Sequence, residues 1–149
     1  MIRSIIPDGV AETQIRRAFQ NVNYGFQKVS VTGLSIDFDD KTGAALGTGV
    51  KAERYIPYNC RVTDWTILPD RSGSIKIDIW AIALASFPPT NTNSICGANE
   101  PVISGAWYGQ DVTLEGWTWQ LSAGTCLLFN IDSCTTIQRA MLWLGLERS

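Results

Sequence analysis

The stretch GSIKIDIWAIALASFPPTNTNSI, residues 73–95, contains the feature that most constrains the fold. Ile75, Ile77 and Ile79 alternate with residues of other kinds, which is the period-two pattern of a β-strand with one buried face. The residues that follow are Pro, Thr and Asn, which are typical of a loop with a restricted backbone and no charge. The stretch therefore predicts a strand over 75–83 and then a structural or contact loop that carries no catalytic side chain.

Strand-like segments recur along the chain and are separated by turns rich in Gly, Pro and Asn. The predicted strands cover residues 29–39, 51–58, 60–68, 75–83, 111–121, 125–132 and 136–147. Short strands at this spacing predict an all-β fold, a β-sandwich of jelly-roll type, over residues 30–149. A final hairpin is predicted to turn at the Ser-Cys-Thr of residues 133–135.

Residues 1–29 differ from the rest and predict an N-terminal arm with a short helix, for bundling or anchoring. Ile15, Phe19, Val22 and Phe26 follow one another at helical spacings and form one apolar face. So short a helix is marginal alone, and its apolar stripe therefore needs a partner. Two alternatives are open: the helix folds onto its own β domain, or helices of neighbouring subunits bundle together.

Two predicted strands are apolar on both faces. Leu142 and Leu144 alternate with Met141 and Trp143, and Trp80 lies opposite the isoleucine face of strand 75–83. A sandwich strand needs only one buried face, so an apolar second face predicts cover by another element or another subunit. Homo-oligomerisation is the favoured interpretation.

The composition argues against several classes of function. The chain has 149 residues, a formal net charge of −2 and no histidine. A Ser-His or Cys-His nucleophile pair therefore cannot form within one chain, and the commonest transition-metal ligand is missing. There is no polybasic stretch for nucleic acid, and no apolar run of the roughly 20 residues that a membrane span needs. We expect a soluble, non-enzymatic chain, made in a cytoplasm, with no cofactor, metal, nucleic-acid partner or membrane partner.

The remaining candidate ligands are cysteines and clustered carboxylates. Cys60, Cys96, Cys126 and Cys134 contain no C-x-x-C pair, so they are predicted to be reduced thiols packed as small apolar groups. The carboxylates of residues 37–43 lack the order of a calcium-binding loop and are predicted to be a solvated turn.

Several short motifs occur in a fixed order over residues 50–147. They are Trp65-Thr66, Gly73-Ser74, Asp78-Ile79-Trp80, Phe87 to Thr90, Gly116 to Thr118, and Phe129 to Ser133. In this order they resemble a β domain that recurs in virion proteins of tailed bacteriophages, often as the C-terminal module of tail fibres or minor structural proteins. The resemblance implies a β-sandwich, usually homotrimeric, without enzymatic activity and located in a virion assembled in the host cytoplasm.

Fibre modules usually follow a long shaft, whereas only a short segment precedes this one. A trimeric capsid decoration (cement) protein that stabilises the head, with the major capsid protein or tail proteins as partners, therefore fits better. The interface candidates are Ile15, Phe19, Val22, Phe26, Trp80, Met141 and Trp143.

The alternative is a receptor-binding tail fibre or spike tip that binds a cell-surface glycan. The candidates for contact with a partner or glycan are Phe87, Thr90, Asn91, Trp107 and Tyr108. A third class, a glycan hydrolase using Asp111, Glu115 or Glu100, is disfavoured because nothing in the sequence pairs these carboxylates in a cleft.

Overall fold

The structure, a computed structural model, describes residues 31–149. Within this range the chain forms two single-turn 3-10 helices, Leu84–Ser86 and Asn91–Asn93, and nine strands. The strands are β1 (Val31–Asp39), β2 (Gly49–Ile56), β3 (Cys60–Pro69), β4 (Gly73–Ala83), β5 (Val102–Ala106), β6 (Gly109–Asp111), β7 (Gln120–Leu121), β8 (Thr125–Thr135) and β9 (Arg139–Arg148).

The strands form two antiparallel sheets in a sandwich-like arrangement. The first sheet has the order β1-β9-β3-β6, with β7 paired to the start of β3, and the second has the order β2-β8-β4-β5. Most connections cross from one sheet to the other, which is the jelly-roll arrangement. The predicted all-β jelly-roll sandwich is therefore confirmed for the described residues. The predicted helix and arm of residues 1–29 lie outside them.

The core lies between the sheets and consists of the alternating apolar residues that the sequence pattern indicated. Ile75, Ile77 and Ile79 of β4 are at most 1% exposed, and Phe129 of β8 is fully buried. Leu144 of β9 is fully buried from the other sheet. Burying one such side chain contributes roughly 1.5–3 kcal/mol, so these strands are held chiefly by their inner faces.

The prediction of a strand over residues 111–121 is wrong for most of that range. The chain there leaves β6, turns at Leu114 and Gly116, both of which have positive φ angles, and only forms the short β7. The Trp117 indole N–H donates to the Asn99 carbonyl at 2.9 Å, so a side chain rather than a strand ladder orders this loop. The strand β5 was not predicted, and the last hairpin turns after Thr135 rather than at it.

The loops at one end of the sandwich are tied together by hydrogen bonds. Asp70, between β3 and β4, accepts from the backbone N–H groups of Gln138 and Arg139 at 3.0 and 3.1 Å. The Gln138 amide then donates to the Gly43 carbonyl at 2.8 Å. Three connections (β1–β2, β3–β4 and β8–β9) therefore share one network.

All four cysteines are free thiols, as predicted. Burial raises the pKa of the Cys60, Cys96 and Cys134 thiols, which keeps them protonated and weakly nucleophilic. In residues 31–149, no helix has the length and apolar character needed to cross a membrane.

Candidate functional site

A polar hollow of about 800 Å³ opens on the outer side of the second sheet. Strand alternation places it there: Ile77 and Ile79 point into the core, so Asp78 and Trp80 point outwards. Asp78 pairs in register with Asn130 of β8. We call this site the acidic hollow, and its lining includes Asp78, Trp80, Thr90, Asn91, Glu100, Asn130 and Asp132.

Asp78 is a buried carboxylate at the floor of the acidic hollow and is only 6% exposed. It accepts hydrogen bonds from the Ile79 backbone N–H at 2.9 Å, the Trp80 indole N–H at 2.8 Å and the Ser94 hydroxyl at 2.5 Å. These three bonds compensate for the burial of a charged group. As a result Asp78 fixes the orientation of the Trp80 ring and holds Ser94 against β4.

The loop between β4 and β5 forms one wall of the acidic hollow. Ile95 donates its backbone N–H to the Ile79 carbonyl at 2.9 Å, so the loop runs along the edge of β4 and covers it. The 3-10 turn beside it is closed by the Thr90 backbone N–H, which donates to the Asn93 side-chain oxygen at 2.8 Å. The Pro/Thr/Asn loop is therefore a rigid edge cover that presents Thr90 and Asn91 to the hollow.

Three carboxylates meet in the acidic hollow. Oxygen atoms of Asp78, Glu100 and Asp132 lie within 4.8 Å of one another. Asp132 accepts a hydrogen bond from the Asn130 amide at 2.6 Å. Burial raises the pKa of Asp132, and the charges of Asp78 and Glu100 add to this effect. The hollow thus concentrates negative charge on one small surface.

Such oxygens are the ligand type that Ca²⁺ uses, but Ca²⁺ takes six to eight of them. The Asp78 oxygens already accept three hydrogen bonds, so the trio offers few free positions. The absence of a metal site stays a prediction.

The predicted contact residues separate into two groups. Thr90 and Asn91 come together in the acidic hollow, where the interface candidate Trp80 also lies. Phe87, Trp107 and Tyr108 do not line it and are 46%, 66% and 65% exposed. The last two form the β5–β6 connection, beside the start of β4, because Ala106 pairs with Gly73.

The predicted interface residues Met141 and Trp143 lie on the outer face of the first sheet. Both are half-buried, and Met141 pairs with Leu68 of β3, which is 49% exposed. A side chain at Gly33 of β1 would come within 2.5 Å of the Trp143 ring, so the glycine leaves room for that ring. We call Leu68, Met141 and Trp143 the apolar stripe. Its roles, and those of Trp80 and the four candidates of residues 1–29 outside the described range, remain predictions.

Sequence reasoning missed the part that Asn130 and Asp132 play. Glu100 was considered only together with Asp111 and Glu115, which the structure does not bring to the acidic hollow. Asp111 instead closes a turn, where the Thr113 backbone N–H donates to it at 2.9 Å and lowers its pKa. The available signal was Asp78, a charged residue that alternates with the isoleucines of β4.

No protein-family model matches this chain, and no curated protein matches it. Among solved structures, the K1 cleaved adhesin domain of Lys-gingipain from Porphyromonas gingivalis is similar over 80% of this chain and 98% of its own, with a TM-score of 0.38 and 13% identity. The CBM22-1-GH10 modules of Clostridium thermocellum xylanase 10B are similar over 81% of this chain and 24% of their own length, with a TM-score of 0.28 and 9% identity. The tobacco streak virus coat protein is similar over 76% of this chain and 86% of its own length, with a TM-score of 0.19 and 9% identity. At these scores, nothing known of the three proteins is transferred to this chain.

Proposed function

We propose that this chain is a non-enzymatic structural protein of a tailed-phage virion, and that it acts as a trimeric capsid decoration protein. The observation that supports this most is the apolar stripe on the outer face of the first sheet. Leu68 is 49% exposed there, next to the half-buried Met141 and Trp143. A sandwich strand has no need of apolar side chains on its outer face, so a grouped set of them favours a contact surface.

The surroundings of the apolar stripe fit an interface. A hollow of about 480 Å³ adjoins it, lined in part by Asp37, Leu68, Arg139 and Met141. An apolar centre with a polar rim is the usual composition of a protein contact patch. In a trimer each patch is repeated around one axis, so modest contacts to a symmetric capsid site add up by avidity.

The interior supports a structural role in a second way. The cysteine thiols whose pKa values burial raises are poor nucleophiles, and Asp111 is engaged in its own turn. These three thiols and this carboxylate thus serve the packing and a local turn, which fits a structural role.

The test compares two substitutions of exposed apolar residues. Leu68→Asp places a charge in the apolar stripe, and Val112→Asp places the same charge on a side chain that is 66% exposed and outside the stripe. We expect the native chain and Val112→Asp to sediment as trimers and to bind purified undecorated capsids, and Leu68→Asp to lose one or both properties while keeping its circular dichroism spectrum. A monomeric native chain that does not bind capsids would refute the proposal.

A second candidate is a receptor-binding tail tip. It is favoured by the two adjacent aromatic side chains of the β5–β6 connection, Trp107 and Tyr108, which are 66% and 65% exposed. Large rigid side chains of this kind make contact area at a low cost in conformational entropy. Loss of host-cell adsorption by virions that carry Trp107→Ala, with unchanged head stability, would favour this function over decoration.

A further inference from the structure

We propose that the acidic hollow is a saccharide-binding site, in which Trp80 supplies a flat apolar surface and Asn91, Glu100 and Asp132 supply hydrogen bonds to hydroxyl groups. This inference goes beyond the structural role and stands on the geometry of the acidic hollow alone. It does not depend on whether the chain lies on a head or on a tail.

The acidic hollow has the size and rigidity of a small-molecule site. Its volume of about 800 Å³ lies within the roughly 300–1,000 Å³ that such sites span. The floor is formed by paired residues of β4 and β8, Asp78 and Asn130. The wall is a loop bonded along the edge of β4 and closed at Thr90. A preformed site of this kind loses little entropy when a ligand binds.

Trp80 is held in one orientation by a buried partner. Its indole N–H donates to Asp78 at 2.8 Å, and Asp78 is itself buried, with only 6% of its surface exposed. The polar atom of the ring is therefore satisfied within the protein. What Trp80 offers the hollow is apolar ring surface, which suits the C–H face of a pyranose ring.

The polar side chains around Trp80 include both donors and acceptors. Glu100 and Asp132 present carboxylate oxygens, and the Asn91 amide both donates and accepts. The Thr90 hydroxyl is already hydrogen-bonded to the Thr92 hydroxyl at 2.8 Å. A metal ion or an ammonium group would use only the acceptors. A saccharide hydroxyl donates one hydrogen bond and accepts others, so it uses both kinds. The mixture therefore favours a polyhydroxylated ligand over a simple cation.

Asp132 is the side chain of the acidic hollow best placed to accept from such hydroxyls. The Asn130 amide donates to one of its oxygens at 2.6 Å and so orients the carboxylate, while the residue stays exposed to solvent. A hydrogen bond to an ionised acceptor is stronger than one between neutral groups. Replacing it by an amide should weaken binding without disturbing the fold.

The experiment uses the full chain in two steps. In the first step, the native chain is applied to a printed array of bacterial O-chains, capsular polysaccharides and simple oligosaccharides. In the second step, a saccharide that binds on the array is titrated in free form against the protein, by calorimetry and by tryptophan fluorescence. We expect Asn91→Ala and Asp132→Asn each to weaken the binding about tenfold or more. The matched control is Tyr55→Ala, which removes an aromatic residue that is 54% exposed and outside the hollow and should leave the affinity unchanged. Trp107→Ala is tested beside it, because Trp107 is the other candidate for contact with a glycan. A loss of affinity counts only for variants whose thermal unfolding midpoint equals that of the native chain.

Three results would overturn the inference. The first is that no array spot binds the native chain. The second is that Trp107→Ala abolishes binding while Asn91→Ala does not, which would assign the saccharide to the β5–β6 connection. The third is that EDTA abolishes binding and Ca²⁺ restores it, which would assign the acidic hollow to a cation.

Discussion

Asp70 joins two loops at one end of the sandwich, and its replacement by asparagine should destabilise the protein measurably. Its side chain is only 7% exposed, and one of its oxygens accepts from the backbone N–H groups of Gln138 and Arg139. The other oxygen pairs with Arg71 at 3.0 Å. The Asp70→Asn variant keeps an acceptor of the same shape but removes the charge.

The magnitude follows from these contacts. Hydrogen bonds to an ionised group contribute roughly 1.5–3 kcal/mol and neutral ones roughly 0.5–1.5, so each backbone bond should lose about 1 kcal/mol. The ion pair adds little because the Arg71 side chain is 45% exposed. Asp70→Asn should therefore lower the free energy of unfolding by about 2 kcal/mol at pH 7. For a chain of this size that is a fall of roughly 4–8 °C in Tm.

The effect should depend on pH in a defined direction. Burial alone would raise the pKa of Asp70, but the Arg139 and Gln138 N–H groups and Arg71 outweigh it and lower the pKa from 3.8. The stabilisation by the charge is then complete above the unfolded-state value and is lost as the pH falls through the lower folded-state value. The difference between native and Asp70→Asn should accordingly vanish in strong acid.

Urea unfolding from pH 7 to pH 2 checks this, with Asp37→Asn as the control. Asp37 is exposed on β1, and removing its charge should change the free energy of unfolding by less than about 0.5 kcal/mol. The reasoning would be refuted if the two variants had equal stability at pH 7, or if the Asp70→Asn deficit persisted unchanged at the lowest pH.

Other substitutions test the packing. Gly33→Ala should lower the free energy of unfolding by about 1–3 kcal/mol and shift the tryptophan fluorescence, because the new Cβ would meet the Trp143 ring at 2.5 Å; Gly47→Ala, where the nearest atom is 3.5 Å away, should do neither. Phe129→Ala removes a fully buried ring and should cost about 3–5 kcal/mol in urea unfolding. Burial raises the pKa of the Cys96 thiol, so this thiol should react with a thiol reagent at pH 8 only after denaturation. Rapid labelling of Cys96 in the native chain would contradict its burial.

The inner faces of β4 and β9 could be predicted because strand alternation is a local pattern. Ile75, Ile77 and Ile79 recur at every second position, and all are buried. Leu142 and Leu144 behave in the same way in β9. The jelly-roll class followed from the number and spacing of such segments, since period and turn residues are properties of the chain itself.

The segments that failed depend on contacts between distant residues. Residues 111–121 contain aromatic and β-branched side chains typical of a strand, yet Trp117 bonds to Asn99 instead of joining a ladder. Strand β5 is short and contains a glycine, Gly105, with a positive φ angle, so it gave no alternating pattern. Its pairing with β4 is seen only in three dimensions.

The acidic hollow was only partly predictable for the same reason. The sequence placed Asp78 and Trp80 on the outward face of β4, and it singled out Thr90 and Asn91 as contact candidates. That Asp132 joins them depends on the register of β4 against β8, including a shift at Lys76–Ile77. Register is set by the whole sheet, and no short motif encodes it.

The most direct test of the proposed virion role is the location of the chain. Purified intact virions would be labelled with an antibody against this chain and imaged by electron microscopy. The decoration function predicts regular labelling over the whole head. Labelling confined to the tail would contradict the decoration function, and particles without any label would contradict a virion role altogether.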